Sequence, residues 1–104
     1  MDLSKQEKKI AREIIEIGLQ RELAQGLSEA DAILTEWKNK EMDNKAAYHK
    51  LYKMIDEFDK HIGLRYDRMT GSTYLIAIAG QLKEKYISEK ELERFQKKQY
   101  KALN

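Results

Sequence analysis

Apolar residues recur along this chain at helical spacing, and the breaks between runs fall on capping residues. Ser4-Lys5-Gln6-Glu7 reads as a capping box, in which the serine and the glutamate each accept from the other's backbone N–H. Ile10, Ile14, Ile15, Ile17, Leu19, Leu23 and Ala24 follow, covering more than one narrow stripe, so the first helix is expected to touch neighbours on two sides. Gly26 predicts its end. Ser28-Glu29-Ala30-Asp31 then predicts a fresh start, and Ala30, Ile33, Leu34 and Trp37 make a single apolar face at i, i+3, i+4 and i+7. After a polar run, Asp43 or Asn44 is expected to cap a helix whose inner face is Ala47, Leu51, Met54, Ile55, Phe58 and Ile62. Gly63 predicts the end of that helix, and the loop from Leu64 to Gly71 leads to Ser72 or Thr73 as the next cap. The helix that follows is expected to run through Leu82 to Tyr86. Ser88-Glu89-Lys90-Glu91 is a second capping box, and Leu92, Phe95, Tyr100 and Leu103 are expected to line the inside of the last helix.

The pattern predicts an all-α fold, a small bundle of four to five helices with a long N-terminal helix, in one domain over residues 1–104. The absence of proline suits long helices, and the absence of cysteine excludes disulfides and thiolate metal sites. Charged residues make up 37% of the chain, yet basic and acidic groups nearly cancel at a net charge of +2, which announces no nucleic-acid footprint. Met1 to Lys9 holds no apolar run of the signal-peptide kind, and Tyr74 to Ala79 is far shorter than the roughly 20 residues of a spanning helix. The expected setting is cytoplasmic, with no membrane partner. Against this polar background Tyr74-Leu75-Ile76-Ala77-Ile78-Ala79 is apolar on every face. A chain of this size encloses a central helix with difficulty, so a second chain is the economical cover. A homodimer is expected, with Tyr74, Leu75, Ile76, Ile78, Ala79 and Leu82 at its interface.

Little of the polar chemistry suggests catalysis. His49 and His61 are two ligands at most, without a His-Glu-x-x-His pattern, so no metal or cofactor is expected. The carboxylates Asp56, Glu57 and Asp59, and Glu89, Glu91 and Glu93, sit among lysines at solvated helical positions rather than in a cleft. Gly71-Ser72 lacks the rest of a phosphate-binding loop, and the loop before it is too long for a helix-turn-helix. Trp37, Tyr48, Tyr52 and Tyr66, with Arg65 and Arg68, are the residue types that anchor protein interfaces.

Several short stretches together resemble a known family. They are Gln20-Arg21-Glu22, Leu51 with Met54-Ile55, Ile62 followed by Arg65-Tyr66-Asp67, the apolar helix Tyr74 to Leu82, and Ile87-Ser88-Glu89 before Glu91-Leu92. In that order they resemble the fluorescence recovery protein family, small helical dimers that act on the orange carotenoid protein in cyanobacteria. The resemblance implies a helical dimer that regulates another protein without catalysis. The positions of that family's working surface hold His49, Tyr52, Lys53 and Asp59 here, so the expected partner is another protein than the carotenoid protein. His49, Tyr52, Lys53 and Asp56, with the Arg65-Tyr66-Asp67 loop, are the expected partner-binding residues. The alternatives are a toxin-neutralising helical protein of the bacterial immunity type and a DNA-binding accessory protein.

Overall fold

A computed structural model describes residues 3–67, 69 and 71–95, with the side chains of Gly71 and Ser72 left aside. Every regular element among them is a helix. The order is α1 (Lys5–Lys38), α2 (Asn44–Tyr66), α3 (Gly71–Lys83) and the described part of α4, 89–95. The expected inner-face residues Tyr100 and Leu103 lie outside the described residues, as does the backbone of Arg68.

Both capping boxes form. The Ser4 N–H donates to Glu7 at 3.1 Å, and the Glu7 N–H donates to the Ser4 hydroxyl at 3.1 Å. Before α4 the Ser88 N–H donates to Glu91 at 3.0 Å, and the Glu91 N–H to the Ser88 hydroxyl at 3.2 Å. Asp43 caps α2, its carboxylate accepting from the Ala46 N–H at 2.8 Å.

The glycine stops read from the sequence do not operate. α1 passes straight through Gly26 and Ser28, and α2 passes through Gly63 to Tyr66. No described glycine has positive φ, the conformation that would end a helix there. α1 and α3 stop at lysines instead, while α2 ends at Asp67 in extended backbone. Lys40 has φ 60° and Lys85 has φ 66°. Around the first, the Lys40 N–H donates to Trp37 O and the Glu41 N–H to Glu36 O; around the second, the Lys85 N–H donates to Leu82 O and the Tyr86 N–H to Gln81 O. Each pair of bonds is a Schellman motif, with lysine in the left-handed position that glycine usually fills.

The chain forms two compact units. The first combines residues 1–21 with 68–104, so it holds the start of α1 together with α3 and α4. Among the described residues, its buried apolar ones are Ala11, Ile14 and Ile15 from α1, Ala77 and Ile78 from α3, and Ile87. Burying an isoleucine contributes about 1.5–3 kcal/mol, so this set is a real core. α3 approaches α1 closely at Gly18, where an added Cβ would lie 2.4 Å from the Gln81 amide. Gln81 is fully buried and donates to Ile15 O at 2.9 Å. The second unit, residues 22–67, is a hairpin of the rest of α1 against α2. Its buried apolar side chains are only Ile33 and Ala47 among the described residues.

Candidate protein-interaction surface

In the second unit, α1 and α2 meet along Gly26, Ile33 and Ala47. Phe58 crosses over Gly26, within 2.7 Å of where a Cβ would stand, so the glycine brings the aromatic ring onto the helix backbone. Glu36 and Lys50 pair at 3.3 Å, and the Trp37 indole N–H donates to the Asn44 side chain at 2.7 Å near the hairpin's turn. These contacts leave one broad side of the hairpin open. It is an apolar groove, walled by Leu23, Leu27 and Ala30 opposite Ile55 and Phe58, and farther on by Leu34 and Trp37 opposite Tyr48 and Leu51. Leu27 is 73% exposed, Tyr48 71% and Ile55 50%, far more apolar surface than a monomeric helix face usually leaves in water.

At the other end of this hairpin lies a polar cluster. The Glu22 carboxylate is fully buried. One oxygen accepts from the Tyr66 hydroxyl at 2.6 Å; the other accepts from the Arg65 guanidinium at 2.8 Å and lies 3.1 Å from His61 Nε2. A buried carboxylate is tolerable only with such partners. Arg65 supplies the compensating positive charge at the oxygen His61 also faces, so the cluster reads as a structural clamp between the helices.

Arg21, the neighbour of Glu22, makes the matching clamp in the first unit. Its guanidinium donates in fork fashion to both Glu91 oxygens, at 2.8 and 2.7 Å, and to Tyr86 O at 2.9 Å. Chiefly through these Arg21 hydrogen bonds, with the Ser88 N–H adding to them, the Glu91 carboxyl is pulled down to about 2. The guanidinium of Arg21 is pushed up in return.

The expected partner-binding residues therefore divide. His49, Tyr52 and Lys53 are exposed on α2, and Asp56 is half-buried and pairs with Lys60 at 3.0 Å. Arg65 and Tyr66 belong to the last turn of α2 rather than to a loop, and they turn toward Glu22. Asp67 caps the helix, its N–H donating to Gly63 O at 2.9 Å. The expected interface helix divides too. Leu75, Ile76 and Ala79 face outward, with Ile76 71% exposed, while Ile78 is buried and Leu82 half-buried. Tyr74 is tied down, its hydroxyl accepting from Arg12 Nε at 3.1 Å.

Sequence reasoning missed the groove because it ended a helix at Gly26. With α1 continuous, Leu23, Leu27, Ala30, Leu34 and Trp37 become one stripe, and their alternating spacing of four and three was the available signal. No described helix is long and apolar enough to cross a membrane. No protein-family model, curated protein or solved structure matches the chain.

Proposed function

We propose that the protein is a non-catalytic, protein-binding regulator, and that the groove of the α1–α2 hairpin is its docking surface. One observation carries this reading: a unit of two long helices buries only Ile33 and Ala47 as apolar residues, while Leu27, Tyr48 and Ile55 stay at least half exposed. Such a hairpin gains its missing core from a bound protein. Trp37 and Tyr48 at one end of the groove and Phe58 at the other are the large aromatic anchors that concentrate binding energy. The outward patch of Leu75, Ile76 and Ala79 on α3 is a second, smaller contact surface on the first unit. The reading agrees in architecture with the resemblance to the fluorescence recovery proteins and stands without it.

The test places a photo-crosslinking amino acid at Leu27 in the groove, and separately at Lys53 outside it, in the full chain in cells. A discrete protein adduct at Leu27, with none at Lys53, supports the assignment. An adduct at Lys53 alone returns the binding surface to the outer polar face of α2, and no adduct at either position overturns the reading.

A further inference from the structure

What the groove takes is written in its shape and its rims. On α1 the stripe from Leu23 to Trp37, and on α2 the stripe from Tyr48 to Ile62, both alternate steps of four and three. This 3.5-residue repeat keeps an apolar seam facing a neighbour along its whole length. The inner flanks of the two stripes are spent within the hairpin, where Ile33 and Ala47 are buried and Phe58 crosses Gly26. The two seams therefore adjoin and form a single trough. A trough between two packed helices takes one more helix, which then touches both seams at once. From Leu23 to Trp37 it is about 21 Å long and seats about four turns.

The rims say what chemistry that helix carries. The outer flank of the α1 stripe holds Ala24, Asp31 and Lys38, and that of the α2 stripe holds Lys45, Tyr52 and Asp59, all exposed. Glu22 lies against His61 and Trp37 against Asn44, which sets Asp31 level with Tyr52 and Ala24 level with Asp59. Both rims are thus basic beside the hairpin's turn. Farther along each becomes acidic, at Asp31 on one side and at Asp59 on the other. Among the described residues these four charges make no ion pair, whereas Lys50 pairs with Glu36 and Lys60 with Asp56. Resting on the protein-binding reading of the same groove, we propose that its occupant is one amphipathic helix of another protein, acidic on both flanks beside the turn and basic farther along. Its carboxylates face Lys38 and Lys45, and its ammonium or guanidinium groups face Asp31 and Asp59. The homodimer expected from the sequence uses α3, which leaves this trough to a different partner.

The probe is a fluorescein-labelled synthetic helix of about four turns with a 3.5-residue apolar seam. One form carries Glu on both flanks of its first half and Lys on both flanks of its second; the others carry Glu throughout or Lys throughout. Fluorescence anisotropy with the purified full chain reads their affinities. The divided form is expected to bind about tenfold more tightly than either uniform form, since two attractions replace two repulsions at exposed positions. Lys38→Glu combined with Lys45→Glu makes both rims acidic, and the form with Lys throughout then becomes the tightest. An unfolded chain cannot show that gain. Leu27→Asp, at an exposed position on the seam, is expected to abolish binding of every form.

Equal affinity for the three forms, an unchanged order after the double reversal, or no binding at the highest soluble concentration overturns the proposal. So does a second copy in the trough, read by light scattering as a dimer that Leu27→Asp dissociates. A cellular Leu27 adduct formed through a segment without this charge pattern removes the helix and leaves the protein-binding reading standing, whereas loss of every adduct removes both.

Discussion

At the scale of single residues, two neighbours on α1 do the long-range polar work. Arg21 reaches Glu91, and Glu22 receives Arg65 and Tyr66. The Arg21–Glu91 pair makes a pH-dependent contribution. Its carboxyl titrates at about 2 in the folded chain, below the usual carboxylate range, so the pair stabilises fully at neutral pH. That stabilisation fades as pH falls from about 4.5 toward 2. Arg21 is half exposed, so water screens the pair, and its worth is about 1 kcal/mol. Glu91→Gln is therefore expected to cost about that much at pH 7 and to flatten the acid limb of the stability profile in this window. Chemical denaturation across the pH range, with an NMR titration of the Glu91 carboxyl, checks both.

At the scale of elements, three helix starts were legible in the sequence, whereas the start read at Ser28, the Ser72 or Thr73 cap and the ends read at Gly26 and Gly63 were not realised. Ser4-to-Glu7, Asp43 and Ser88-to-Glu91 are local signals, each complete within four residues, and all three operate. Gly26 and Gly63 looked like stops because glycine tolerates positive φ. Gly26 serves packing instead. A side chain there would press on the Phe58 ring at 2.7 Å, a contact with a residue far along the chain that no local pattern records. Two effects of Gly26→Ala oppose each other. Alanine gains about 1 kcal/mol of helix propensity, while overpacking against an aromatic ring costs about 1–3 kcal/mol. A Cβ 2.7 Å from the ring edge lies well inside van der Waals contact, so the clash is expected to win and Gly26→Ala to lower the denaturation midpoint. Adding Phe58→Leu to it should return part of the loss, and urea unfolding of the single and double variants measures the difference.

At the scale of the whole molecule, the all-α character followed from spacing alone, because a 3.6-residue period needs no knowledge of neighbours. The division into two units did not, since Glu22 meets Arg65 across more than forty positions and Arg21 meets Glu91 across seventy. The candidate surface was half legible. Tyr48 and Tyr52 were visible as interface-type aromatics, and the apolar helix around Ile76 as surplus hydrophobic surface. The groove needed α1 and α2 side by side. The polar character of Arg65 and Tyr66 suggested an exposed contact, whereas their hydrogen bonds go inward to a buried acid.

The two lysines in left-handed turns have a consequence for proteolysis. A protease needs an extended stretch of backbone, which a helix withholds and a tight exposed turn yields with little local opening. Trypsin cuts after lysine, and Lys40 and Lys85 are exposed at the ends of α1 and α3 in strained backbone that gains from being released. Among the described residues, the first cuts in brief digestion are expected after Lys40 and Lys85, ahead of the many lysines and arginines inside helices. Mass spectrometry of the early fragments reads this directly. Helix-forming lysines placed where glycine is customary thus make these two corners points of entry for an enzyme that cuts at lysine.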